Sequence, residues 1–256
     1  MNKAVAILVT CMTLASSAWA VTSTGNEDKE AMTKAFVQRQ VEQNMSIGRA
    51  IKSIVSHYPQ DAEIIISTAL DLYPKQYKEI IHAAIAAEPA LTSQVVTIAL
   101  NKGISSCSSI VKTAITAEPS YVDFVVQAAA NATPEELDEI VRVAVITEPD
   151  SADTIVQTLS QSHPNQMVDI LKTAMGAVPF VGEYMVDALL AVFPNEAENV
   201  VTTAVRGSNA QREQIARIIE TAENAGVAKK DITQYAINAG LTKEEIDTLL
   251  AESDNK

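Results

Sequence analysis

The sequence is poor in cysteine and in aromatic residues. It has two cysteines, Cys11 and Cys107, and one tryptophan among 256 residues, and aromatic side chains make up only 4% of the chain. Because Cys11 lies in a segment that we expect to be removed, the remaining chain has a single cysteine and no intrachain disulfide. Stability must therefore come from packing of aliphatic side chains.

The motifs that usually indicate catalysis or metal binding are also missing. The sequence has no glycine-rich phosphate loop, no His-Glu-x-x-His, no Gly-x-Ser-x-Gly and no cysteine pair for zinc. None of its three histidines, His57, His82 and His163, has another histidine or a cysteine at helical spacing. The sequence predicts a non-enzymatic protein without cofactor or metal.

The N-terminus has the pattern of a secretory signal peptide. One basic residue, Lys3, precedes a short apolar run, and the segment closes with Ala18-Trp19-Ala20. The apolar run is shorter than the roughly 20 residues that a transmembrane helix needs. We therefore expect cleavage after Ala20 and a periplasmic or extracellular protein, with lipidation at Cys11 as an alternative.

Positive charge is scarce after this segment. Removal of residues 1–20 takes away one of 19 basic residues and none of 32 acidic ones, so 18 − 32 gives a net charge of −14. Such an excess argues against nucleic acid or an anionic membrane as partners of the whole molecule. No later segment is apolar and long enough to cross a bilayer.

Proline is the residue that reveals the organisation of the chain. All nine prolines share one phase of a 15-residue repeat, in which Ile104 and Asn209 occupy the positions without proline. The prolines are Pro59, Pro74, Pro89, Pro119, Pro134, Pro149, Pro164, Pro179 and Pro194.

The unit between prolines has helical periodicity. With proline as position 10, positions 1 and 2 are β-branched or other aliphatic residues and position 5 is usually alanine. After Pro119 the apolar residues fall at offsets 3, 6, 7, 10 and 11, which places them on one helical face. Thr133-Pro134-Glu135-Glu136 predicts a helix start with a threonine cap, proline at N1 and a capping-box glutamate. Cys107, at position 13, is predicted to be a buried structural thiol.

Short turns predict antiparallel neighbours, so two units of about 12 helical residues form a 30-residue hairpin. Glu-Pro at 88–89, 118–119 and 148–149 repeats at this spacing. The fold class is therefore an all-α solenoid with two layers of short helices. The Ile-Val-x-x-Ala-Ile-x-x-x-Pro unit resembles HEAT- and TPR-type repeats in architecture. It lacks the signature residues of either and is shorter, so the resemblance implies no activity.

The predicted domains follow from this repeat. Residues 1–20 are the signal peptide, 21–28 a flexible linker and 29–45 an N-terminal capping helix. Residues 46–220 form the repeat domain, and residues 221–256 form C-terminal capping helices. In the last part, Gly240 predicts a helix end, and Thr242 with Glu245 predicts a capping box.

One periodic set of polar residues is a candidate binding site. In every second unit position 3 is basic, whereas in the intervening units it is Ser67, Thr97, Gln127, Gln157 and Asp187. Stacked hairpins would align the basic residues in one row on an acidic protein. We call this row the basic ladder, and its members are Lys52, His82, Lys112, Arg142 and Lys172.

Two interpretations of the basic ladder are open. The structural one is that cations near helix C-termini favour the helix dipole and pair with Glu88, Glu118 and Glu148. The functional one is that the ladder grips an extended anionic protein or acidic polysaccharide. We expect a binding or scaffold protein of the cell envelope; the alternative is a structural subunit of an extracellular matrix or fibre, with self-association.

Overall fold

The computed structural model describes residues 21–44, 46–209 and 211–253, and within these it shows fifteen α-helices and no strand. The helices are α1 (Val21–Asn44), α2 (Ile47–His57), α3 (Ala62–Leu72), α4 (Tyr77–Ala87), α5 (Thr92–Asn101), α6 (Cys107–Ala117), α7 (Val122–Ala132), α8 (Leu137–Thr147), α9 (Ala152–Ser162), α10 (Met167–Ala177), α11 (Gly182–Val192), α12 (Ala197–Gly207), α13 (Arg212–Asn224), α14 (Lys229–Ala239) and α15 (Lys243–Ser253).

Each proline starts a three-residue 3₁₀ turn that leads into the next α-helix. The nine turns are Pro59–Asp61, Pro74–Gln76, Pro89–Leu91, Pro119–Tyr121, Pro134–Glu136, Pro149–Ser151, Pro164–Gln166, Pro179–Val181 and Pro194–Glu196. A typical unit is therefore an eleven-residue α-helix, one junction residue and this turn, which accounts for the 15-residue period.

The junction residue before each proline connects the two helical segments through its own backbone. The Thr133 N–H donates to the Ala129 carbonyl at 2.8 Å, and the Thr133 carbonyl accepts from the Glu136 N–H at 3.0 Å. Proline at the next position has no N–H that would need a partner. With φ −138° and ψ 66°, Thr133 leaves the helical region, as steric conflict with the following proline ring favours.

The predicted capping box at this junction is wrong. The Thr133 hydroxyl donates to the Ala129 carbonyl at 3.1 Å and caps no N–H of the next helix, and α8 begins only at Leu137. The backbone already satisfies the groups that a capping side chain would serve, so the residue before proline needs no particular side chain.

The helices form two layers, as the predicted solenoid requires. Within one layer each even-numbered helix packs on the next even-numbered one, from α2 on α4 to α12 on α14. Within the other, each odd-numbered helix packs on the next odd-numbered one, from α1 on α3 to α13 on α15. We call these the even layer and the odd layer. The all-α repeat fold is confirmed.

The core lies between the layers and consists of the repeated aliphatic positions. Position 1 residues such as Ile80 and Ile140, position 2 residues such as Ile81, and position 5 alanines such as Ala114 are all fully buried. Since alanine brings helices close together, the small residue at position 5 permits tight packing between the layers. Cys107 is buried at the start of α6, as predicted.

The N-terminal end differs from the prediction in one respect. Residues 21–28, which we expected to form a flexible linker, are part of α1 (Val21–Asn44), which packs on α2 and α3. Extension of an existing helix requires no new nucleation, so a polar stretch without proline can continue it. The expected signal peptide, residues 1–20, lies outside the described residues.

The C-terminal helices continue the two layers. Gly240 ends α14 with φ 109°, and the Leu241 N–H donates to the Ala236 carbonyl at 3.1 Å. The capping box is present as predicted, because the Thr242 N–H donates to Glu245 Oε2 at 2.8 Å and the Glu245 N–H donates to the Thr242 hydroxyl at 3.3 Å. The expected domain boundary at 220/221 falls inside α13, so the structure has no break at that point.

No single helix among the described residues is long and apolar enough to span a bilayer. One pair of segments, Pro164–Ala177 and Pro179–Val192, satisfies the criteria of length and composition when taken together. The two segments are bent by 116° relative to each other.

Candidate functional site

The basic ladder lies on one face of the molecule. Each of its five members is the sixth residue of an eleven-residue helix of the even layer, from Lys52 in α2 to Lys172 in α10. All five side chains are exposed. Because alternate helices pack in sequence, equivalent positions on α2, α4, α6, α8 and α10 follow one another across the layer.

The structural interpretation of the ladder does not agree with this geometry. A residue at the centre of an eleven-residue helix is remote from the last turn, where a cation interacts favourably with the helix dipole. Among the described residues no carboxylate lies within 4.0 Å of Lys52, Lys112 or Lys172, so Glu88, Glu118 and Glu148 do not neutralise them. The ladder residue with an ion pair is Arg142, whose Nε lies 3.9 Å from Glu139 Oε2.

A groove of about 650 Å³ runs over α2, α4 and α6 at the N-terminal half of the ladder. Its charged side chains are four Lys or Arg residues and one Glu, a net charge of 4 − 1 = +3 with histidine neutral. We call this the basic groove. Its titratable side chains are Arg49, Lys52, Lys78, Glu79, His82 and Lys112.

Two of the basic residues in the groove are outside the ladder. Arg49 precedes Lys52 by three residues and Lys78 precedes His82 by four, which are the spacings that place side chains next to each other on a helix. Sequence reasoning missed them because it followed one repeat position at a time. A search for cations one turn before each ladder residue would have found both.

The rest of the ladder is in a different electrostatic environment. Arg142 and Lys172 line a second groove of about 580 Å³ between α8 and α10, together with Asp138 and Asp169. The charges of two cations and two carboxylates cancel in this second groove, so its net charge is zero. The structure therefore divides the ladder into a cationic part on α2, α4 and α6 and a neutral part on α8 and α10.

The wall of the basic groove on α6 is anchored by a hydroxyl network. The Tyr77 hydroxyl is 2.6 Å from Ser109 Oγ and accepts a hydrogen bond from Ser105 Oγ at 2.9 Å. Burial alone would raise the pKa of Tyr77, but the hydrogen bonds with Ser105 and Ser109 and the charge of Lys78 together lower it. The network connects α4 to the beginning of α6 and holds Ser109 at the groove surface.

This network lies where the repeat lacks its proline. Gly103 has φ 58°, so the chain turns through a conformation that favours glycine, and no 3₁₀ turn precedes α6. Instead, the Ser106 hydroxyl caps α6 by accepting from the Ser109 N–H at 3.3 Å. The layers continue across this junction, since α6 packs on both α4 and α8.

Cys107, at the start of α6, is shielded from solvent. Its Sγ is 3.4 Å from the Thr133 hydroxyl. Burial raises the pKa of the Cys107 thiol, the Thr133 hydrogen bond partly opposes this, and the carboxylates of Glu136, Glu139 and Glu135 raise it further. Because the thiolate is the reactive form, burial and the raised pKa both disfavour reaction of this thiol.

The histidines outside the groove are bound to their own helices. His57 Nδ1 is 2.7 Å from the Ser53 carbonyl, and His163 Nδ1 is 3.3 Å from the Leu159 carbonyl. In residues 28–44, 46–209 and 211–249, no three His, Cys, Asp or Glu side chains are grouped closely enough to hold a metal ion.

Comparison with protein-family models, with curated proteins and with solved structures finds no significant match to this chain.

Proposed function

We propose that the protein is an exported, non-enzymatic binding protein that holds an extended anionic partner along the outer face of the even layer. The observation that carries the proposal is the basic groove, which concentrates a net charge of +3 on a chain whose formal net charge is −13. Export rests on the signal-peptide pattern of residues 1–20, and the partner class is an acidic protein segment or polysaccharide of the cell envelope.

The electrostatics of the molecule favour recognition at the groove over general adhesion. At physiological ionic strength the Debye length is about 8 Å, so most of the distant carboxylates are screened from a ligand bound in the groove. The unpaired ammonium groups of Lys52 and Lys112 then act at short range. The other faces carry the acidic excess and repel an anion.

Reversal of two groove charges should remove most of the binding. For Lys52→Glu/Lys112→Glu we expect a roughly ten- to hundredfold loss of affinity for poly-L-glutamate or oligogalacturonate, since two attractions become repulsions. Isothermal titration calorimetry at two salt concentrations measures it, and the parent affinity should fall as salt rises. Circular dichroism should show an unchanged fold, because both side chains are exposed.

A matched control separates the groove from net charge. Lys34 and Lys230 are exposed and lie outside the groove, and Lys34→Glu/Lys230→Glu changes the net charge by the same amount. The control variant should bind like the parent protein. Equal binding by the groove variant and the parent would refute the proposal.

A second candidate is self-association as a subunit of a fibre, and one observation favours it. At the N-terminal end, Met32 is 74% exposed beside a groove of about 560 Å³ that α1 and α3 form with Phe36 and Ile64. Light scattering after size-exclusion chromatography should then detect oligomers that Met32→Ser converts to monomers. A monodisperse monomer at all concentrations argues against the fibre.

A further inference from the structure

The first three ladder residues define a regular spacing across the basic groove. Lys52, His82 and Lys112 occupy equivalent central positions on α2, α4 and α6, which pack side by side. Axes of packed helices are about 8–10 Å apart. A ligand that lies across the three helices therefore meets a basic side chain at about this interval.

The period of a peptide ligand can be compared with this interval. A β-strand presents side chains on one face every two residues, about 6.6 Å apart. A polyproline II helix has three residues per turn and a rise of about 3.1 Å, so every third side chain returns to one face after about 9.3 Å. The polyproline II period matches the spacing of the helices, whereas the β period does not.

Other groups of the groove suit a chain with an unpaired backbone. Thr113 and Thr116 line the groove, and their hydroxyls already donate to the Ser109 and Lys112 carbonyls, each at 2.7 Å. Each hydroxyl oxygen is therefore left to act as an acceptor. A polyproline II segment forms no internal hydrogen bonds, and its N–H groups are free to donate. The small side chains of Ala83 and Ala86 allow the backbone to approach the surface closely.

We propose that the partner is an acidic peptide segment in polyproline II conformation with a carboxylate at every third residue. Three successive carboxylates lie at Lys52, His82 and Lys112, where the two lysines form ion pairs and the His82 ring N–H donates a hydrogen bond. Arg49 and Lys78 add positive charge at the groove edges. The inference rests on the proposed function and specifies the partner chemistry of the same site.

The test compares two fluorescein-labelled synthetic peptides of equal composition. One carries glutamate at every third position between proline pairs, and the other carries the same glutamates at every second position followed by the remaining prolines. Fluorescence anisotropy with the full chain should show about tenfold tighter binding of the period-three peptide, because two exposed ion pairs and the His82 hydrogen bond each contribute modestly. Lys112→Gln should reduce this preference, and Lys230→Gln, outside the groove, should retain it.

The other outcomes separate failure of the period-three inference from failure of the proposed function. Equal affinity for the two peptides overturns the period-three inference and leaves the anion-binding function standing. Binding of oligogalacturonate with no binding of either peptide shows that the partner is a polysaccharide, which also overturns the inference alone. If neither peptide, oligogalacturonate nor poly-L-glutamate binds, the inference and the proposed function fail together.

Discussion

Replacement of Ile140 by alanine should lower the free energy of unfolding by roughly 2–5 kcal/mol. Ile140 is the position 1 residue of α8 and is fully buried between the layers. The truncation removes buried methyl groups and leaves a cavity, since the neighbouring helices are held by their own hairpins and cannot fully close it. Urea denaturation followed by circular dichroism at 222 nm gives the change in stability.

The same helix supplies the control for this experiment. Ile146 is also an isoleucine of α8, but it is 56% exposed on the outer face. Ile146→Ala makes the same chemical change and should alter the free energy of unfolding by less than about 0.5 kcal/mol, as is usual for surface sites. Similar losses for the two variants would contradict the assignment of the inner and outer faces.

Two glycines near Met175 should respond in opposite directions to alanine. A Cβ atom at Gly207, the last residue of α12, would lie 2.7 Å from Met175 Cβ, an atom that no side-chain rotation can move away. Gly207→Ala should therefore destabilise the protein by about 1–3 kcal/mol through overpacking. Thermal unfolding should show a lower melting temperature.

At Gly176, in α10, a Cβ atom would have no neighbouring atom within 4 Å. Gly176→Ala should stabilise the protein by about 0.5–1 kcal/mol, because alanine restricts the unfolded chain and favours a helix. A fall in melting temperature for both variants would contradict the prediction, because alanine would then destabilise the helix even at Gly176, where its Cβ meets no other atom.

The layered fold could be predicted because its signals are local and repeated. The regular spacing of the prolines predicts the 15-residue unit, and the aliphatic residues at positions 1 and 2 predict its buried face. The 3₁₀ turn was missed because the sequence at Thr133 matches a side-chain cap. In the structure the Thr133 carbonyl, and not its hydroxyl, accepts from the Glu136 N–H.

The candidate site was predictable in part. The 30-residue period identifies the row from Lys52 to Lys172, but it does not distinguish the environments along it. The basic groove depends on Arg49 and Lys78, which stand at two different repeat positions on two helices. The balance at Arg142 depends on Asp138 and Asp169. Such neighbourhoods arise from side chains on different helices, which a pattern at one position cannot reveal.

The backbone junction before each proline has a consequence for the size of the molecule. Tyr58, Glu118 and Phe193 all make the same two backbone hydrogen bonds, so a junction forms whatever side chain it carries. A further hairpin of 30 residues could be inserted without any specialised connecting sequence. Each insertion would add one helix to each layer and widen the outer face by about 8–10 Å. The number of hairpins therefore sets the length of the outer face, and under the proposed function it would also set the length of the anionic partner.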